Sequence, residues 1–260
     1  MKDKVFISII TVVFNGEKTI DRTIQSILNQ KFTDYEYIIQ DGGSKDKTLE
    51  IAKSYENKFQ GKLQIYSEKD KGIYDAMNKG ISHASGKYIW LVNADDWIEP
   101  EALSNIYEFI IKSPRVCAII AGWINVVSAE TGDLIRIGKC SELGYEKSCK
   151  KLSMGVCHPA TVVSREVYDI VGLYDDRYYI SADMDFILRC YKSNIVVDFL
   201  PIPLSNMTRG GISSVFPVRK NLHDIWLRVS KFKSNFFARC FYMALISIKF
   251  FIIKIRGSYL

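Results

Sequence analysis

The sequence predicts an α/β fold in which a parallel sheet carries helices on both faces. Short apolar runs alternate with stretches of helical periodicity through the first half of the 260 residues. The first of these runs is apolar at consecutive positions, which is typical of a central strand that is buried on both sides. Polar clusters follow several runs directly, as they do where parallel strands end beside a ligand. Repeated strand–helix units of this kind favour one wound sheet.

The predicted elements follow one another regularly. VFISIITVVFN predicts the first strand, and further strands are predicted at YEYIIQD, KLQIYSEKD and KYIWLVNADD. Helices are predicted at EKTIDRTIQSILNQ, SKDKTLEIAKSYENK and GIYDAMNKGISHA, and a last one from about Pro100 to Lys112. In the first helix, the residues at helical spacing are Ile20, Ile24, Ile27 and Leu28. The later segment GVCHPATVVSREVYDIVGLYDD is predicted to be strand-like and to shape a pocket.

Composition and charge limit the class of protein. Hydrophobic residues make up 48% and charged residues 25%, which indicates a globular chain with a sizeable core. The net charge of +6 suits an anionic ligand or a membrane surface and does not indicate nucleic acid. The six cysteines are scattered, and no signal-peptide pattern opens the sequence, so we expect reduced cytosolic thiols. The irregular spacing of Cys140, Cys149, Cys157 and His158 disfavours a zinc site.

Four polar clusters end the predicted strands, at residues 15–17, 41–44, 68–72 and 93–96. Any one of them could be a simple turn, but the carboxyl ends of parallel strands meet at one edge of a sheet. We therefore expect the four clusters to converge. Two of their acids, Asp95 and Asp96, are adjacent, and like charges at one point favour a bound cation or an exposed turn. Phosphate-binding motifs of the GxxxxGK[ST] and GxGxxG types are absent from the sequence.

Ordered motifs give the chain a resemblance to the family 2 glycosyltransferases. They are ISIITVVFN, DGGSKDKT, EKDKGIYDAMNKGI, WLVNADDW and ISADMDFILR, and the resemblance extends to about Ser214. It implies the GT-A nucleotide-sugar fold over residues 1–214, with a nucleotide-binding half at 1–112 and an acceptor half at 113–214. Residues 215–260 are then expected to form a C-terminal helical region that associates with a membrane.

The resemblance implies a donor site for a UDP-sugar, with glucose or galactose as the expected hexose. Asp41 is implied to accept a hydrogen bond from uracil, although Asp-Gly also suits an Asx turn. Asp70 and Lys71 match the donor-pocket loop, with Lys71 on the diphosphate, whereas Asp75 and Asn78 in the next helix are not assigned a catalytic role. Arg209 is implied to contact the diphosphate when its loop closes.

A divalent cation, Mn²⁺ or Mg²⁺, is implied by the same resemblance. The family motif is commonly Asp-x-Asp, and this chain has Asn93 at the first position. We expect Asn93 to contact the ribose, Asp95 to bind the metal and Asp96 to assist it. The cation would neutralise charge that develops on the departing diphosphate. The alternative is a solvated turn before Pro100.

The resemblance also implies an inverting mechanism with a carboxylate base at the start of a helix. The family has a Glu-Asp pair there, and this chain has Ala182 followed by Asp183. Asp183 is the predicted general base, and Asp185 is its rival. His158 is expected near the mouth of the acceptor pocket, in either a structural or a functional role.

Two other functions stay open at this point. A sugar-phosphate nucleotidylyltransferase also uses metal-binding aspartates, but it would carry a glycine-rich basic loop after the first strand, and NGEKT does not fit that description. A degenerate, non-catalytic nucleotide-binding module is the second alternative, because Ala182 replaces the usual glutamate.

The C-terminal segment KFKSNFFARCFYMALISIKFFIIKIRGSYL is apolar but interrupted by cations. Its uninterrupted run from Cys240 to Ile248 is too short to span a bilayer, and a basic, aromatic helix suits a membrane interface. Packing on the core of the protein is the alternative. We expect a cytoplasmic enzyme, peripheral on the inner face of the bacterial inner membrane. Its expected acceptor is a saccharide on undecaprenyl diphosphate, in O-antigen or capsule synthesis.

Overall fold

The computed structural model describes residues 5–210 and 217–233, together with scattered single positions up to 248. Its strands are β1 (Ile7–Val13), β2 (Tyr35–Asp41), β3 (Leu63–Ser67), β4 (Tyr88–Leu91), β5 (Trp97–Ile98), β6 (Ile119–Val127), β7 (Leu134–Gly138), β8 (Thr161–Ser164) and β9 (Val197–Thr208). Its helices are α1 (Ile20–Leu28), α2 (Thr48–Lys53), α3 (Ile73–His83), α4 (Ala102–Lys112), α5 (Glu142–Lys150), α6 (Arg165–Val171), α7 (Ala182–Lys192) and α8 (Val218–Phe232). A 3-10 turn covers His158–Ala160.

All the described strands belong to one mixed sheet. Its order is β3-β2-β1-β4-β8-β6-β9-β5, and β7 pairs with β6. The first four strands of this order are parallel, whereas β8 runs antiparallel to both β4 and β6. The ends of β1, β2 and β4 therefore meet at one edge, as the strand-end clusters predicted.

Two hydrophobic layers cover the two faces of the sheet. Alternate side chains of β1 enter opposite layers: Ile10 and Val12 pack with α3 and α7, while Ile9 and Val13 pack with α1 and α4. Every residue of β1 is buried, which explains why its sequence is apolar without alternation. The predicted α/β architecture is confirmed.

The segment predicted to be strand-like before residue 176 is mostly not a strand. It contains the 3-10 turn, then β8, then helix α6. Val167 and Tyr168 of α6 are buried against the core, whereas Glu166 and Asp169 are exposed, so the apolar residues cover one side of a helix. The periodicity was ambiguous because the apolar run is short.

Helix α8 packs against α7 and the hydrophobic layer around it. Ile225 is 7% exposed and Val229 is fully buried, and both join the hydrophobic layer that contains Phe186 of α7. The part of the predicted C-terminal region at 217–233 thus lies on the core. The apolar run from Phe236 lies almost entirely outside the described residues. Within the described part of the chain, we find no helix with the length and apolar character needed to cross a membrane.

Candidate active site

An open cavity lies at the carboxyl ends of β1 and β4. The β6–β7 ribbon, the loop before the 3-10 turn and the start of α7 form its other walls. Among the predicted site residues, those that line this cavity are Asp70, Lys71, Asn93, Asp95, Asp96, His158, Asp183 and Arg209. Asp41 does not line it. Residues far apart in the sequence are therefore brought to one site.

The two adjacent aspartates of the site differ in exposure. Asp96 is 1% exposed and accepts a hydrogen bond from Asn93 Nδ2 at 3.0 Å. Burial and, to a smaller extent, the negative charge of Asp95 raise the pKa of Asp96 to about 8. Asp95 is only partly buried, and its carboxylate receives no hydrogen bond from the residues that the structure describes. Asp95 therefore presents its carboxylate to the cavity, and the carboxyl group of Asp96 is buried next to it.

The backbone of this acidic loop is held by contacts that the sequence did not reveal. The Arg22 guanidinium donates to the Asp95 carbonyl at 2.9 Å and to Thr208 Oγ1 at 3.1 Å, and Thr208 Oγ1 donates to the same carbonyl at 3.1 Å. The guanidinium also lies over the Trp97 ring, 3.6 Å from its centroid. Arg22 thereby joins α1, the loop and β9. Nothing near Arg22 in the sequence marks this role, because its partner lies 73 residues away.

These residues fit a divalent cation. Magnesium-type ions often bind one or two protein carboxylates and take their other ligands from phosphates and water. Asp95 supplies an open carboxylate, and the buried Asp96 lies next to it at the cavity wall. Within 5–210 and 217–233 there is no group of three His, Cys, Asp or Glu residues able to hold a metal by itself. The ion would supply Lewis-acid neutralisation of charge on the phosphates.

The cysteines and His158 belong to no group of three or more possible metal ligands among the described residues. Cys149 is buried in the layer around Tyr145, away from the cavity that Cys140 and Cys157 line. All six thiols are free.

Asp41 occupies a buried turn. Its side chain is fully buried and accepts hydrogen bonds from the backbone N–H groups of Gly43 and Ser44 at 3.1 Å, and from Ser67 Oγ at 2.6 Å. The structure therefore shows the Asx turn, and the contact with uracil stays a prediction. The adjacent Gly42 lies against the loop at residues 68–72, where an added Cβ would be 2.2 Å from Asp70 Oδ2. A side chain at 42 would displace Asp70.

The loop at residues 68–72 is ordered by hydrogen bonds to Asp70 and Asp75. Asp70 Oδ1 accepts from Gly72 N at 2.9 Å, and Asp75 Oδ2 accepts from Lys71 N at 3.0 Å. Burial raises the pKa of Asp70. Asp75 therefore acts as a turn residue at the start of α3, and Lys71 is exposed at the cavity wall.

Asn78 of α3 holds the loop that follows α6. Its side chain donates to the Tyr174 carbonyl at 2.8 Å and accepts from the Tyr174 N–H at 3.0 Å. This reciprocal pair of hydrogen bonds fixes the backbone position of Tyr174.

Asp183 lies in the first turn of α7 and lines the cavity. The Tyr74 hydroxyl is 3.4 Å from its Oδ1, and the Met184 N–H donates to the same oxygen at 2.8 Å. Burial, and next the charge of Asp183, raise the pKa of Tyr74 well above its ordinary value, so this phenol stays a hydrogen-bond donor. Asp183 can accept a proton from a ligand in the cavity.

Asp185, its rival, is fully buried and does not line the cavity. Its carboxylate accepts from Arg189 Nε at 2.8 Å, from Lys231 Nζ at 2.8 Å and from the Tyr178 hydroxyl at 3.2 Å. These contacts occupy both oxygens and join α7 to α8. The geometry therefore favours Asp183 over Asp185 as the base.

His158, at the start of the 3-10 turn, lines the cavity. Its Nε2 is 3.2 Å from the Tyr174 hydroxyl, and burial lowers the pKa of the imidazole, which favours the neutral ring. A neutral imidazole can orient a hydroxyl group without adding charge.

Basic side chains line the cavity on the side of β7 and β9. Arg209 follows β9, and its N–H donates to the Val127 carbonyl at 2.9 Å. Arg136 and Lys139, on and after β7, also line the cavity and were not singled out from the sequence. Both residues lie outside the motifs of the predicted site, so the sequence did not indicate that they line the cavity.

Comparisons with known proteins identify the family of this chain. The model of the family described as "Glycosyl transferase family 2" matches residues 8–171. A PGL/p-HBAD biosynthesis glycosyltransferase of Mycobacterium tuberculosis is 29% identical over 212 residues, which cover 80% of this chain and 78% of the relative.

Two solved structures show the same fold. S. aureus TarS 1-349 in complex with UDP-GlcNAc has a TM-score of 0.67 at 20% identity and is matched over 86% of this chain and 66% of its own. A mannosyltransferase of Pyrobaculum calidifontis, in complex with GDP-Man and Mn²⁺, has a TM-score of 0.64 at 13% identity. The match covers 88% of this chain and 64% of the mannosyltransferase. The present chain thus spans slightly less than two thirds of either. The family model covers more than half of the chain, and the protein belongs to glycosyl transferase family 2, with the GT-A fold.

Proposed function

We propose that the protein is an inverting, metal-dependent glycosyltransferase that moves a hexose from a UDP-sugar to a saccharide acceptor. One observation carries the proposal: the open carboxylate of Asp95 and the carboxylate of Asp183 line the same cavity from different walls. The first is suited to a cation on a leaving group and the second to proton removal.

The donor would lie against β1 and β4. Asp95 and Asp96 would hold Mn²⁺ or Mg²⁺, while Lys71 and Arg209 contribute positive charge at the cavity wall. Asn93 would meet the ribose, and Asp41 the uracil. The complex of TarS with UDP-GlcNAc supports UDP as the carrier, and the Mn²⁺ complex of the archaeal mannosyltransferase supports a divalent ion.

Asp183 would act on the acceptor hydroxyl. As the hydroxyl oxygen attacks the anomeric carbon, Asp183 takes its proton, and the bond to the diphosphate breaks with its electron pair leaving on UDP. Attack opposite to the leaving group inverts the configuration. Tyr74 and the Met184 N–H hold the carboxylate in place.

The acceptor half of the cavity suits an amphiphilic saccharide. Ile135 of β7 lines the cavity and is 44% exposed. Arg136 and Lys139 line the cavity close to it. Apolar groups next to cations complement a lipid diphosphate, which supports an acceptor on undecaprenyl diphosphate. The proposed setting is O-antigen or capsule synthesis at the inner face of the bacterial inner membrane.

The non-catalytic alternative has one observation in its favour. Ala182 is fully buried in the core and offers no carboxylate beside Asp183. No observation favours the nucleotidylyltransferase, and membership of the glycosyltransferase family speaks against it.

Purified protein would test the proposal with a panel of UDP-sugars, Mn²⁺ or Mg²⁺, and saccharides on a lipid diphosphate. Mass spectrometry would size the products, and NMR would give the anomeric configuration. We expect UDP release, an added hexose of inverted configuration, and loss of activity with EDTA. Asp183→Asn is the matched control. Release of pyrophosphate would indicate the nucleotidylyltransferase, and UDP binding without turnover on any acceptor would indicate the non-catalytic module.

A further inference from the structure

Asp224 is a buried acid of α8 that the proposed chemistry does not use. It is 1% exposed. Its carboxylate accepts hydrogen bonds from the backbone N–H groups of Tyr179 at 2.9 Å, Ile180 at 2.8 Å and Ser181 at 3.1 Å. It also accepts from Ser181 Oγ at 3.2 Å. One side chain therefore binds three consecutive peptide groups.

Those peptide groups lead directly into α7. Ser181 is the N-cap of this helix, and its hydroxyl makes no capping bond within the described chain because it is turned toward Asp224. Asp183 follows in the first turn. A carboxylate at the start of a helix is favoured by the helix dipole, and it satisfies buried N–H groups that would otherwise lack partners. The backbone before the proposed base is thus fixed by another helix.

Other polar residues of α8 act on the same segment. Arg228 is 6% exposed, and its Nη1 donates to Ser181 Oγ at 3.3 Å. Lys231 donates to Asp185 at 2.8 Å. Asp224, Arg228 and Lys231 are spaced four and three residues apart, which places them on one face of α8. The whole face holds the first turns of α7.

We propose that Asp224 is a positioning residue for the reaction, acting by fixing the backbone that places the Asp183 carboxylate in the cavity. The inference rests on the proposed role of Asp183 as the base. A displacement of about 1 Å at a reacting group can lower the rate about 10²-fold, so removal of the Asp224 carboxylate should lower turnover. Donor binding should be little affected, since Asp224 does not line the cavity.

The test is a double-mutant cycle on the intact chain. Asp224→Ala, Asp183→Asn and the double variant are compared for UDP release from UDP-glucose, UDP-galactose or UDP-N-acetylglucosamine, whichever turns over. UDP affinity is measured by calorimetry, and folding by thermal unfolding. We expect Asp224→Ala to lower turnover about 10- to 100-fold with UDP affinity unchanged, and to cause no further loss when Asp183 is already Asn.

Two further variants sharpen the result. Asp224→Asn keeps the shape of the side chain and one acceptor oxygen, so it should recover part of the rate. This variant also tests the inference if the alanine variant fails to fold. Arg219→Ala, at an exposed position of the same helix, should behave as the wild type. Wild-type turnover in both Asp224 variants, a loss of UDP affinity, or a loss that adds to that of Asp183→Asn would overturn the inference. Wild-type turnover in Asp183→Asn would refute the base itself, and the inference with it.

Discussion

Asp183 and Asp185, separated by one residue at the start of α7, have opposite surroundings. Asp183 lines the cavity, with Tyr74 beside it, whereas Asp185 is fully buried and accepts from Arg189 and Lys231 at 2.8 Å each. On a helix, residues two apart lie on different faces. One acid is thus available to a substrate, and the other holds two helices together.

Replacing Asp183 by Asn should reduce turnover about 10²–10⁴-fold, because the amide keeps the shape but cannot take a proton. Donor binding should change little, which UDP calorimetry would check alongside initial rates. A fully active Asp183→Asn enzyme would remove this residue from the role of base.

Replacing Asp185 by Asn should act on stability. Breaking a buried charge pair costs about 3–5 kcal/mol, and Arg189 and Lys231 would lose their common partner. Urea denaturation would measure the free energy of unfolding, and initial rates on the folded protein would be measured beside it. An enzyme that is inactive yet as stable as the wild type would reverse the two assignments.

A matched surface pair provides the control for that measurement. Glu146 lies 3.5 Å from Lys150 on α5, and both side chains are about half exposed or more. Glu146→Gln should change the free energy of unfolding by about 0.5 kcal/mol or less, since exposed pairs contribute little.

Replacing Asp95 by Ala should abolish metal-dependent turnover and leave the fold intact. Its carboxylate makes no hydrogen bond with the described residues, so its removal breaks no hydrogen bond within the described part of the protein. Initial rates against Mn²⁺ concentration, together with thermal unfolding, would measure both effects. Glu130→Ala, at an exposed turn, is the control. Unchanged rate and metal dependence would exclude Asp95 from the site.

Removing the apolar side chain of β7 that lines the cavity should weaken use of a lipid-linked acceptor. Ile135→Ser removes this exposed side chain, which is worth about 1.5–3 kcal/mol if buried by the acceptor. The KM for the lipid-linked acceptor should rise at least about 10-fold, with that for a short-chain analogue unchanged. Ile170→Ser, on exposed α6 surface, is the comparison. Equal effects on both acceptors would argue against a lipid contact.

Truncation after Ser234 should move the protein from the membrane fraction to the soluble fraction while turnover on short-chain acceptors continues. The truncated chain keeps all of α8, whose buried residues complete the core, and loses the apolar, basic tail. Cell fractionation and activity on a soluble acceptor would measure the two properties. Misfolding, or loss of all activity on soluble acceptors, would show that the tail belongs to the core.

The sequence was sufficient for the first half of the fold and for the location of the site. The apolar runs of β1 and β4 could be read directly because strands buried on both faces tolerate few polar residues. Since parallel strands end at a common edge, the clusters containing Asp70 and Asp95 could be expected to converge, and they line one cavity. These features depend on periodicity and on the geometry of a wound sheet.

Only the tertiary structure could decide which acids are open to a ligand. In the sequence, nothing distinguishes Asp41 and Asp185 from the neighbouring acids as candidate site residues. In the folded protein, both side chains are fully buried and bonded to other residues of the chain. The anchors of the site were equally hidden, since Arg22 reaches Asp95 across 73 residues and Asp224 reaches Ser181 across 43. The chemistry of a carboxylate is set by burial and by its hydrogen-bond partners. Those partners come from distant parts of the chain, which become neighbours only when the chain is folded.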